Sequence, residues 1–280
     1  LPSIFSSGVT QVNILIGTII ASFEMGAVSY LYYADRIYQI NLAIAGIAVG
    51  TVSLPVLAAA LKKKNILKVS NIQNKSIELS LLLSVPASLG LIIASEEIIN
   101  ALFGYGSFSK ENVSMTSEAL TWFGYGIPAF SLIKVLSNFF FARNNTTTPF
   151  YISLFVVTLN VIISLSFFKE VGFIIIPIST SISTWVGVLI YTYLLNRYSF
   201  LILQKSIIKN IFKIISSAVL MSFVLLHGLE YFEESLNFVN KFKAIYLLFI
   251  VSFVATIYLI SCYLLGVLKI KNYKINYYEY

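Results

Sequence analysis

The stretch GAVSYLYYADRIYQINLAIAGIAVGTVSLPVL occupies residues 26–57, and its reading decides the fold. Its apolar part, 27–57, runs for about 30 residues, more than the ~20 that a helix needs to cross a hydrocarbon core of ~30 Å. Gly26, Gly46, Gly50 and Pro55 are spread along it. A tilted or broken helix is therefore expected, as in transporter helices whose irregular backbone lines a cavity. Asp35 and Arg36 are the only charges in the run. A charge at that depth costs at least ~2.5–3.5 kcal/mol on insertion scales, so both are expected to face a cavity or a partner. Adjacent on one helix, they point ~100° apart, and each needs a different neighbour.

Working outward, similar apolar runs fall at 4–23, 77–95, 116–141, 149–168, 171–195, 207–229 and 243–268. Of 280 residues, 58% are hydrophobic and 11% charged, against ~25% charged in an ordinary soluble domain. Too few charges remain to clothe a soluble fold of this length. The fold class is an all-α integral membrane protein of about eight transmembrane helices. The net charge of +7 does not point to nucleic acid, because the basic residues sit at the ends of apolar runs instead of interleaving with aromatics. One set of loops holds Lys62, Lys63, Lys64, Lys68, Lys75, Arg143, Arg197, Lys205, Lys209, Lys213, Lys269, Lys271 and Lys274. The opposite loops hold Lys110, Lys169, Lys241 and Lys243, together with most of the acids. By the positive-inside rule the basic loops and both ends of this chain belong in the cytoplasm. The chain opens Leu-Pro without an initiator Met, and is read as a fragment or a processed piece.

Lys134 is the remaining intramembrane base. It stands nine residues before Arg143, ~13 Å by helix rise, too deep to snorkel comfortably, so a cavity position is expected. Arg36 suits anion binding, since its planar fork matches phosphate oxygens and stays protonated in poor solvent. Asp35, the only carboxylate read inside a span, would orient Arg36 or answer Lys134. The alternative is a structural network holding helices together. Gly124, Gly126 and Pro128 predict a bend in the fourth span. His227 beside Glu230 reads as interfacial, and the Asn144–Thr148 stretch as a cytoplasmic loop, not a glycosylation acceptor. Lys205, Lys209 and Lys213 form a stripe suited to anionic head groups of membrane lipids. The lone Cys262 offers no disulfide or metal spacing. No catalytic constellation is present, and an enzyme is not expected.

The string Gly26-Ala27-Val28-Ser29-Tyr30-Leu31-Tyr32-Tyr33-Ala34-Asp35-Arg36, followed by Gly46 to Val52 and Leu54-Pro55, resembles the seventh-to-eighth helix region of the MurJ (MviN) lipid II flippases. Three further stretches agree: Gln11 to Ser22; Phe103-Gly104-Tyr105-Gly106-Ser107-Phe108; and Lys134-Val135-Leu136 with Phe141-Ala142-Arg143 and Thr148-Pro149. The resemblance implies the second lobe (residues 1–200, six helices) of a transporter of the multidrug/oligosaccharidyl-lipid/polysaccharide (MOP) exporter superfamily. Two extra helices in 201–280 would form a groove for a lipid tail. It implies that the chain flips lipid II, an undecaprenyl-pyrophosphate-linked disaccharide-peptide, for peptidoglycan synthesis across the bacterial inner membrane. Positions matching the family's cationic cavity are Ser29, Asp35, Arg36 and Lys134. Some members bind sodium; the matching positions would include Asn160 and Thr180, but Gly17 and Ser164 offer no carboxylate, so no cofactor is expected and sodium coupling is doubtful. The first lobe is absent, which leaves three readings: a fragment, a split transporter completed by a separate N-terminal-lobe chain, or a non-transporting remnant. A flippase or antiporter for another polyprenyl-linked or small-molecule substrate is the alternative function.

Overall fold

A computed structural model describes residues 2–268; Lys269, Lys271 and Lys274 of the basic set lie outside the described residues. The elements are α1 (Pro2–Ala21), α2 (Ala27–Leu42), a π-helical turn (Ala43–Ile47), α3 (Ala48–Lys62), α4 (Ile66–Ile93), α5 (Ser95–Phe103), α6 (Lys110–Phe141), α7 (Thr147–Val171), a 3₁₀ turn (Gly172–Ile174), α8 (Ile175–Arg197), α9 (Lys205–Tyr231), α10 (Glu233–Leu236) and α11 (Lys243–Leu264). Among the described residues no strand occurs. Among the described residues six stretches are long and apolar enough to cross a membrane. One of them, Thr147–Arg197, is 51 residues long and holds both α7 and α8, split at Gly172. With the 20-residue α1, the eight expected long helices are accounted for.

The expected break in the second span is real. α2 and α3 form one 36-residue stretch, interrupted by the π turn that contains Gly46. Such turns leave backbone groups out of the regular ladder and are found frequently at functional sites. Elsewhere the helix boundaries follow local chemistry. Gly26 (φ 79°) and Gly172 (φ 74°) make left-handed turns that an L side chain resists. Asn65 accepts the Lys68 N–H at 2.9 Å, and Ser109 accepts the Asn112 N–H at 3.2 Å, capping α4 and α6.

Two features differ from the sequence reading. α4 starts at Ile66, not residue 77, because polar side chains in its first turns find partners in the 198–204 linker. Ser70 Oγ and Asn74 Nδ2 donate to the Ile202 carbonyl at 3.1 and 2.7 Å, and Gln73 Nε2 donates to the Phe200 carbonyl at 2.6 Å. Glu78, at the edge of the run read from sequence, therefore stands about three turns into α4, and Asp35 is not the only carboxylate inside a span. The second difference is α5, where Glu96 and Glu97 form the first turn of a short helix instead of a loop; acids there complement the helix dipole.

α6 is the central post, buried along most of its length against α2, α4 and α8. Its Pro128 removes the N–H that would meet the Gly124 carbonyl. Ser88 of α4 takes over that acceptor at 2.7 Å. From α8, Ser181 donates to the Trp122 carbonyl at 2.7 Å, and Trp185 Nε1 donates to the Tyr125 carbonyl at 3.0 Å. In α4, Pro86 frees the Leu82 carbonyl, and Tyr258 of α11 supplies the missing donor at 2.8 Å. Hydrocarbon offers no water to satisfy such groups, so neighbouring helices must. α9 lies on α4, and α11 lies on α9 and α5; a third core cluster, centred on Ile214, Ala218, Met221 and Ile250, fills this seam.

A candidate anion-binding face

One side of α2 is anchored and the other is open. Ala34, Ile37 and Tyr38 are buried, and the Tyr38 ring lies 5.2 Å from both Phe123 and Phe130 of α6. Ser29, Tyr32, Arg36 and Gln39 are exposed at spacings that place them on one helical stripe. A polar stripe on a membrane helix is stable where it meets water or a partner, not lipid.

Asp35 and Arg36 do have different neighbours, as their angular separation requires. Gln39 Nε2 donates to Asp35 Oδ2. Arg36 Nη2 donates to the Tyr32 hydroxyl at 3.1 Å, and its Cζ lies 4.5 Å from the Tyr32 ring centre. Asp35 therefore does not orient Arg36 through a direct ion pair, and it does not pair with Lys134. The ion pair that does form on a span helix joins Lys75 to Glu78 of α4 at 2.7 Å.

Lys134 stands on the same wall at another depth. An added Cβ on Gly46 would lie 3.3 Å from Ser131 Cα and 3.5 Å from Lys134 Cγ. One on Gly50 would lie 3.3 Å from Asn138 Nδ2 and 3.6 Å from the Lys134 carbonyl. Glycine at both positions lets the broken second span close onto α6. Asn138 Nδ2 seals the contact by donating to the Gly50 carbonyl at 2.6 Å. Lys134 is the only exposed residue of α6 beyond Tyr125, and among the described residues its ammonium has no hydrogen-bond partner. Gly46 is ten residues from Arg36, ~15 Å along a helix. The structure thus brings Ser29 and Arg36 onto one short stripe, turns Asp35 away from Arg36 toward Gln39, and sets Lys134 beside Gly46 further along the span.

The positions considered for sodium separate. Asn160 Nδ2 donates to Asn13 Oδ1 of α1 at 2.8 Å, and Asn160 Oδ1 accepts from Ser164 and Ser179. Thr180 is not part of this cluster: its hydroxyl donates to the Ile176 carbonyl of its own helix at 2.7 Å. Among the described residues no group of three His, Cys, Asp or Glu side chains is placed to hold a metal.

Several partners were readable but unread. Tyr32 precedes Arg36 by four residues and Gln39 follows Asp35 by four, the spacing at which helical side chains meet. Glu78 was hidden by the late start assigned to its helix; it is buried, and besides Lys75 it accepts from Asn210 Nδ2 of α9 at 2.9 Å. Lys243 was counted among loop charges. It is 1% exposed and donates to Asn100 Oδ1, the Gly104 carbonyl and the Phe238 carbonyl at 2.9, 2.7 and 2.9 Å.

Comparison with known proteins agrees with this architecture. A family model described as lipid II flippase MurJ matches residues 1–248. A probable lipid II flippase MurJ of Rhizobium tropici is 34% identical over 270 residues, covering 95% of this chain and 50% of that protein. One from Rickettsia prowazekii (strain Madrid E) is 37% identical over 236 residues, covering 84% and 46%. The chain thus spans about half the length of these curated relatives. A solved lipid II flippase MurJ in an inward closed conformation superposes with a TM-score of 0.76 at 28% identity, over 93% of this chain and 52% of that one. An outward-facing multidrug resistance MATE transporter of the MOP superfamily shares the fold alone, with a TM-score of 0.62 at 18% identity over 83% and 53%. The chain, an all-α multi-pass membrane protein, belongs to the lipid II flippase MurJ family.

Proposed function

We propose that this chain carries the lipid-linked peptidoglycan precursor, lipid II, across the bacterial inner membrane as one lobe of a flippase working by alternating access. The observation that carries the reading is the Arg36 guanidinium, held on an exposed polar stripe of a membrane helix with Lys134 exposed further along the same wall. A pyrophosphate-linked sugar needs such donors where water is scarce. Ser29 adds a hydroxyl to the stripe, and Asp35, bonded to Gln39, fixes the amide beside it.

The tail of such a substrate needs an apolar track. A groove of about 900 Å³, lined by Val85, Pro128, Trp185, Leu189, Ile214 and other apolar side chains, runs between α9 and the lobe helices α4, α6 and α8. α9 supplies the extra-pair wall of this groove; α11 does not line it. With the basic loops inside, both ends of this chain are cytoplasmic and the acidic end of the bundle faces outward. One wall does not make a cavity, so transport requires a second lobe, supplied either by the rest of a longer chain or by a separate N-terminal-lobe partner. Rocking of the two lobes would carry the head group outward. Membrane potential biases such a cycle by about 2.3 kcal/mol per elementary charge per 100 mV. Sodium has no part in the cycle proposed here, because the Asn160 oxygen already accepts from two hydroxyls and a hard cation prefers several anionic oxygens. Drug antiport needs a titrating acid free to exchange protons, whereas Glu78 is ion-paired and Asp35 is bonded to Gln39.

The test is complementation in cells depleted of their own lipid II flippase, with this chain expressed alone and together with a first-lobe chain. Rescue that requires both and fails for Arg36→Ala supports the proposal. Absence of rescue, with both chains inserted and expressed, would overturn it in favour of a remnant or another substrate.

A further inference from the structure

We infer that Tyr32 is the positioning residue of the anion site, and that the aromatic loop at 103–108 braces it. The inference rests on the assignment of Arg36 to a pyrophosphate-bearing head group. An arginine on an open membrane face is a long side chain with many rotamers, and ordering it on binding weakens affinity. Here the ordering is done beforehand. The Arg36 guanidinium lies over the Tyr32 ring, 4.5 Å from Cζ to its centre, and one N–H reaches the Tyr32 hydroxyl at 3.1 Å. Four of the five guanidinium N–H groups remain for a ligand. The hydroxyl accepts from Arg36, so its own proton is free to donate to the same anion.

Tyr32 is 54% exposed, so the core does not fix its ring. Its neighbour does. The rings of Tyr32 and Tyr33 meet edge to face at 5.9 Å. Tyr33 in turn sits against Phe103 at 4.8 Å and Phe108 at 5.4 Å. Those two phenylalanines bound the Phe103–Phe108 motif, for which the transport reading otherwise gives no role. A chain of ring contacts therefore runs from the acidic-end loop through Tyr33 and Tyr32 to the guanidinium.

Two measurements on the full chain in lipid nanodiscs separate the inference from the reading beneath it. The first is affinity for inorganic pyrophosphate by calorimetry. Arg36→Ala is expected to abolish binding, Tyr32→Leu to weaken it at least fivefold, and Tyr32→Phe, which keeps the ring, to lose less than half as much on a logarithmic scale. The second is the rate at which phenylglyoxal modifies Arg36, read by peptide mass spectrometry. Tyr32→Leu is expected to raise it several-fold, and Tyr32→Phe to raise it less. Because Tyr32 is half exposed, neither variant leaves a core cavity, and an unchanged thermal midpoint accompanies the expected result. Loss of binding in Arg36→Ala with wild-type affinity and labelling in Tyr32→Leu would overturn the positioning role alone. Unchanged binding in Arg36→Ala would overturn the site itself, and the positioning role with it.

Discussion

The α2 face and the seam joining α4 to α9 and α11 are both polar features inside a membrane protein, and they are built in opposite ways. Along the seam nearly every polar group is spent on another protein group. Asn210 meets Glu78 near the basic end at 2.9 Å, Tyr258 meets the Leu82 carbonyl further along at 2.8 Å, and Lys243 fills three acceptors at the acidic end. On the α2 face Arg36 spends one N–H on Tyr32 and keeps four, and the Lys134 ammonium makes no hydrogen bond among the described residues. Ser29, Arg36 and Lys134 are exposed, although exposure of polar groups to lipid is costly. The lesson is that satisfied polarity in a membrane marks assembly, whereas polarity with spare capacity marks a surface awaiting something.

If that contrast holds, substitutions should divide cleanly between function and stability. Arg36→Ala should reduce transport in the complementation assay by more than tenfold while leaving the thermal midpoint of the purified chain unchanged. A large fall in that midpoint would mean the α2 face is structural. Lys243→Met should do the reverse. It strands the Asn100 side-chain oxygen and two carbonyls, and a loss of about 3 kcal/mol in unfolding free energy is expected; a midpoint equal to wild type would remove the seam's outer anchor.

A smaller effect tests the seam at mid-depth. Tyr258→Phe removes only the hydroxyl that covers the carbonyl freed by Pro86, and interhelical hydrogen bonds of this kind are worth about 0.6–1.7 kcal/mol. Urea or SDS titration of the two proteins in parallel would read it. The smallest effect concerns Glu97 on α5. Burial, reinforced by the neighbouring Glu96 charge, pushes its carboxyl above the ordinary 4.5. A carboxyl whose folded pKa is raised binds its proton more tightly when folded, so its ionisation weakens the fold as pH rises from 4.5 upward. Glu97→Gln should therefore raise the thermal midpoint at neutral pH, and the gain should vanish as pH falls below 4.5. A pH-independent gain would point to some cause other than titration.

The sequence made the α2 face partly legible because helical spacing is rigid: the ~100° between Asp35 and Arg36 already required two separate partners. Naming Tyr32 and Gln39 needed only the i,i+4 rule. Glu78 was lost because hydropathy marks where a helix is apolar, not where it begins; Ser70 and Asn74 hold the first turns of α4 to a linker more than a hundred residues away. Lys243 was lost because a lysine at the end of an apolar run reads as a solvated charge until its acceptors are in place.

What the sequence alone determined is everything that a bilayer dictates locally. Run length, the scarcity of charge and the placement of lysines follow from the requirement that each span satisfy its own backbone, and they yield the long helices and the expectation of a tilt or break in the second span; the place of that break, at the turn containing Gly46, came from the structure. Only the tertiary structure decided which polar groups are spent. Whether Ser88 covers Gly124, whether Tyr258 covers Leu82, and whether Asn160 meets Ser179 instead of Thr180 depend on which helix lies alongside at that depth. A side chain and an acceptor on another helix become partners only when helix contacts bring them within 3 Å, and no local pattern encodes that distance.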